Sequence, residues 1–124
     1  MPRPTVLIAE PEPEQALSTR KLVVETGKFN VLTAHSGQEA LDVFRLFPNI
    51  SAAVLVVCEA IDAAEVANQM KSIKPALPII CLSPRIDEGC AHADYTISSY
   101  EPHALLERLR SLLGDPRGDP RELK

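Results

Sequence analysis

Ala52-Ala53-Val54-Leu55-Val56-Val57-Cys58 is apolar without interruption. A strand with one wet face alternates apolar and polar residues. A run with no polar break suits a strand covered on both sides, as in a parallel sheet with helices above and below. This stretch therefore belongs at the centre of a sheet, and its flanks must supply the neighbouring strands and the covering helices.

Upstream, Val6 to Ala9 reads as a strand, and Glu10-Pro11-Glu12-Pro13 ends it because each proline removes a ladder donor. Pro13 suits the first position of a helix that runs to Thr26 with Leu17, Lys21 and Val24 at helical spacing, and Gly27 closes it. Phe29 to Ala34 is a second strand. Ser36 and Glu39 form an S-x-x-E capping box in front of Ala40, Val43, Phe44 and Phe47, and Pro48 stops that helix.

Downstream, Asp62 to Lys74 makes a third helix with Ala63, Val66, Ala67 and Met70 inward. Pro78 to Leu82 is a short buried strand and Tyr95 to Ile97 a fifth. Pro102 opens a last helix whose Leu105, Leu106, Leu109, Leu112 and Leu113 form one stripe, ended by Gly114. Strands alternating with helices imply right-handed crossovers, hence a doubly wound α/β fold with a five-stranded parallel sheet in a three-layer α/β/α sandwich. Residues 1–114 form one domain. Residues 115–124, where Gly-Asp-Pro-Arg at 114–117 recurs at 118–121, read as a flexible tail or linker.

With 124 residues, 45% hydrophobic and 24% charged, the chain is an ordinary globular domain. Its net charge of -4 is spread without a basic block, which argues against nucleic-acid binding. The apolar runs fall far short of the roughly 20 residues of a membrane span. Met1-Pro2-Arg3-Pro4 leads straight into a strand, leaving no room for a signal peptide, so a cytoplasmic location is expected. Cys58, Cys81 and Cys90 show no CxxC spacing, and reduced thiols are expected. His35, His92 and His103 lack ligand spacing and are read as surface or capping residues.

Val6-Leu7-Ile8-Ala9-Glu10, Ser36-Gly37-Gln38-Glu39-Ala40-Leu41, Ala53 to Cys58, Leu77-Pro78-Ile79-Ile80-Cys81-Leu82-Ser83 and Ala93-Asp94-Tyr95 together resemble a response-regulator receiver domain over residues 5–113. The resemblance implies a flavodoxin-like strand order 2-1-3-4-5. It also implies a phosphorylated aspartate after strand three and a magnesium ion on acidic residues after strand one.

On that resemblance the phosphoacceptor position matches Cys58, which cannot form an acyl phosphate. In the acidic pocket Glu10 keeps a carboxylate, Pro11 offers no ligand, and Glu12 lies just beyond. The lysine position matches Ser98, and the proline that follows it matches Ser99. Ser83 and Tyr95 match the hydroxyl and aromatic switch positions. Only the eleven residues 84–94 separate them, so helix four should be shortened.

The resemblance therefore implies a pseudo-receiver: a phosphorylation-independent adaptor, not an enzyme, in a two-component or phosphorelay pathway, with no metal and no cofactor. It would meet a signalling protein or linked effector through Tyr95, the residues after Ser83, and Arg108 and Arg110 of the last helix. Weak homodimerisation stays open; nucleic acid and membrane are not expected as partners. Two alternatives stand beside it. Glu59 could accept phosphate if the alignment slips by one residue, since neighbouring strand residues face opposite ways. Cys58 or Cys90 could act as a thiol switch. Against these, Cys58 reads as a semi-buried thiol and Glu10 and Glu12 as solvated charges.

Overall fold

The computed structural model describes residues 4–11, 19–58, 61–84, 92–98 and 101–114. Strands β1 (Thr5–Ala9), β2 (Asn30–Ala34), β3 (Ala52–Val56), β4 (Ile79–Ser83) and β5 (Tyr95–Ser98) alternate with helices α1 (Thr19–Thr26), α2 (Gly37–Leu46), α3 (Ala63–Ile73) and α4 (Pro102–Leu113). All strand pairs are parallel, and the order is β2-β1-β3-β4-β5. The uninterrupted apolar run is the middle strand, buried at every position of β3.

Period-two alternation splits the core in two. Leu7, Ala9, Ala53, Leu55 and Ile79 pack with Phe44 of α2 and Val66 and Met70 of α3. Val6, Ile8, Val54, Ile80 and Leu82 pack on the other face with Val24 of α1 and Leu105 and Leu109 of α4. Each fully buried large side chain is worth about 1.5–3 kcal/mol, so both faces hold the sheet.

The helix signals work as local chemistry dictates. Ser36 Oγ accepts the Glu39 N–H at 3.1 Å, and Asp62 Oδ1 accepts the Glu65 N–H at 3.2 Å. Each satisfies a first-turn amide that has no partner within its helix. Gly114 ends α4 at φ 86°, a left-handed conformation that costs glycine nothing, and its N–H reaches Arg110 O at 2.9 Å.

One expected core residue moves. Phe47 is the C-cap of α2 rather than part of its buried face, and it is 53% exposed. Pro48 disfavours helical geometry in the residue before it, so Phe47 takes φ -127°, ψ 71° and leaves the helix. Pro13 and Leu17, residues 85–91 of the crossover between β4 and β5 that should hold the shortened helix four, and the tail 115–124 lie outside the described residues.

Asp94 fastens the start of β5. Its Oδ2 accepts the Ile79 N–H at 2.8 Å and Lys71 Nζ at 2.7 Å, while Lys71 also donates to Leu77 O at 2.7 Å. Burial pushes the Asp94 carboxyl up, but the Lys71 hydrogen bond, the Ile79 amide and the Lys71 charge outweigh it and hold the pKa below the ordinary 3.8.

Candidate functional site

In an open α/β sheet the site forms at the carboxyl ends of the strands. Register defines which residues meet there. Ala9 is level with Leu55, Val56 with Leu82, and Ser83 with Ser98. Val57 N–H continues the ladder to Leu82 O at 2.9 Å. One step past β1 and β3 on the same registers, the row across the sheet mouth is Pro11, Val57, Ser83 and Ser98.

Cys58 lies one residue beyond that row. It forms an isolated antiparallel bridge with Ile61 and packs, half-buried, on the α2–α3 side. Val57, 38% exposed, stands in line with Ser83 and Ser98. The row is set by pairing with strands distant in sequence, so spacing along β3 could not separate residue 57 from residue 58. Neither carries a carboxylate.

Glu10 is not a solvated charge. It is 1% exposed, its N–H donates to Ala34 O at 2.9 Å, and its carbonyl lies 3.2 Å from His35 Nδ1. The ladder to β2 continues one residue past β1, which keeps Glu10 within the sheet rather than in solvent. Pro11 beside it is exposed. Glu12, Glu59, Cys90 and Ser99 lie outside the described residues.

Magnesium prefers about six oxygens in an octahedron. Among the described residues no three His, Cys, Asp or Glu side chains gather into a metal-binding group, and Pro11, Val57, Ser83 and Ser98 of the row offer no carboxylate. The described donors alone do not make that octahedron. Ser83 is buried at the end of β4, and Ser98 ends β5 with a hydroxyl, so the row among the described residues carries no ammonium that would pair with a phosphoryl group.

Tyr95 stands apart from this row. It is the first residue of β5, level with Ile80, not at the strand mouth, and it packs on the α1–α4 side. Ser83, level with Ser98, lies three residues further along the ladder. The Arg108 guanidinium sits 4.6 Å from the Tyr95 ring centroid, a cation–π contact. Arg110 is not a surface arginine: its side chain is 18% exposed and donates to Glu107 Oε1 at 2.7 Å. Of the expected partner residues, Tyr95 and Arg108 are therefore brought together, and Arg110 is turned into the α4 packing.

Sequence reasoning missed a groove of about 430 Å³ beside this pair, lined by Thr96, Ile97 and Ser98 of β5 and by Glu101, Ala104, Glu107, Arg108 and Ser111. Its signal was present only as the i, i+3, i+4, i+7 spacing of Ala104, Glu107, Arg108 and Ser111 on one helix flank.

This is the fold of the response-regulator receivers, and many solved structures with that fold resemble the chain. A CheY-like receiver domain protein from Methanospirillum hungatei superposes with a TM-score of 0.74 at 18% identity, covering 94% of this chain and 100% of its own. The response regulator TrrA from Thermotoga maritima, solved with magnesium and beryllium fluoride, gives 0.72 at 25% identity, covering 89% and 99%. CheY of the Borrelia burgdorferi CheX–CheY complex, also solved with beryllium fluoride and magnesium, gives 0.69 at 18%, covering 87% of each chain. No protein-family model and no curated protein matches the sequence. No helix among the described residues is long and apolar enough to cross a membrane.

Proposed function

We propose that the chain is a phosphorylation-independent signalling module of receiver fold, a pseudo-receiver acting in the cytoplasm by binding a protein partner and catalysing nothing itself. The observation that carries the reading is the row Pro11, Val57, Ser83 and Ser98, which offers neither an acyl-phosphate acceptor nor an ammonium to neutralise phosphate oxygens. Without them the charge of a phosphoryl group and its ion would be desolvated uncompensated at the sheet mouth. Residues 1–114 are the working unit, and the β5–α4 face around Tyr95 and Arg108 is the docking surface. That a similar fold is found in a CheX–CheY complex supports a protein as the partner.

Incubation of the full chain with acetyl phosphate and magnesium, followed by intact mass spectrometry, tests this. The expected spectrum is that of the unmodified protein. A magnesium-dependent phosphoadduct, on Glu59 or elsewhere, removes the proposal.

A further inference from the structure

β5 is an outermost strand, and among the described residues nothing pairs with its free side. All four of its residues are partly exposed. An edge strand presents backbone donors and acceptors that a second extended chain can complete. Here the edge is flanked by one side of α4, so Thr96, Ile97 and Ser98 form one wall of the groove and Ala104, Glu107, Arg108 and Ser111 the other. A strand beside a helix flank is the geometry by which a peptide adds to a sheet while its alternate side chains enter the groove.

The charges set where the occupant's cation can sit. Arg108 stacks on the Tyr95 ring and keeps its own positive charge at that end of the groove, and Glu107 is paired by Arg110. Glu101, at the end of the groove where β5 passes into α4, is exposed and pairs with no cation among the described residues. Ala104 presents only a methyl group in the wall, leaving room for a side chain of the incoming segment.

We propose that this groove binds an extended basic peptide segment of a partner protein as an added strand on β5, its Lys or Arg meeting Glu101 and an apolar side chain lying over Ala104 and Ile97. The proposal rests on the reading of this face as the docking surface and names the chemistry of what docks.

The test is selection of a phage-displayed library of random short peptides on the full chain without phosphodonor. Amide exchange and affinity are then measured with the enriched synthetic peptides. Expected are sequences bearing Lys or Arg, slowed exchange on binding at Tyr95 and Ile97, whose amides alternate away from β4, and a loss of at least about tenfold in affinity for Glu101→Lys, the size of a broken interfacial charge pair. Ala104→Trp, which fills the groove from an exposed helix flank, should abolish binding while circular dichroism stays native. Overturning results are no enriched peptide, peptides that bind both variants as tightly as the parent, or binding that leaves exchange in β5 unchanged. Enrichment of β5-binding basic peptides only after acetyl phosphate and magnesium are added would support the groove and overturn phosphorylation independence, so the two failures are distinguishable.

Discussion

Asp94 shows how a single side chain can tie three elements together. Its carboxylate joins α3 and β4 to the start of β5 through Lys71 and the Ile79 amide. A carboxyl whose folded pKa lies below its unfolded value contributes stability above the unfolded value and loses it as pH falls through the folded one. The side chain is 38% exposed, so solvent screening limits the contribution to about 1 kcal/mol or less. For Asp94→Asn, the stability gap from the parent should therefore be largest at neutral pH and close as pH drops below the ordinary 3.8. Urea midpoints at neutral pH and near pH 3 measure it. An equal gap at both values would mean that the charge contributes nothing.

At the scale of elements, the contact between α1 and α4 is set by a glycine. A Cβ on Gly27 would lie 2.5 Å from Leu106 Cδ1 and 3.3 Å from Val24 O. Leu106 is itself packed in the core beside Leu105 and Leu109, so it has little room to retreat. Gly27→Ala should cost about 1–3 kcal/mol by overpacking, read as a lower urea midpoint with unchanged slope. Leu106→Ala in the same chain should recover part of that loss; two independent, additive losses would show that the two residues do not compete for space.

The same contrast between local and distant causes explains what could be read from the chain alone. The cap at Ser36, the leucine stripe of α4 and the all-apolar β3 depend on neighbours a turn or a pleat away, and all were legible. The choice between Val57 and Cys58, the burial of Glu10 and the Arg108–Tyr95 stack depend on partners that only the assembled sheet brings close, so spacing could not disclose them. Phe47 was misread because the backbone restriction from Pro48 outweighed helical periodicity.

For the whole molecule, the decisive feature is that one sheet serves two cores. β3 sends Ala53 and Leu55 to the α2–α3 side and Val54 and Val56 to the α1–α4 side, so neither layer can lose its packing without exposing the back of the strand that supports the other. Two layers sharing every strand should unfold together. Leu55→Ala and Leu105→Ala remove fully buried side chains from opposite layers and should each cost about 2–5 kcal/mol. Both should lower a single transition seen identically by far-ultraviolet circular dichroism and, in a Tyr100→Phe background, by tyrosine fluorescence, which Tyr95 on β5 reports from the α4 side. If Leu105→Ala shifted the fluorescence transition and left the circular dichroism transition in place, the α4 layer would be an independent unit. The groove that α4 shares with β5 would then be able to open without unfolding the sheet. A common shift instead ties the groove to the full stability of the domain, the behaviour that the proposed reading requires of a face preformed by folding.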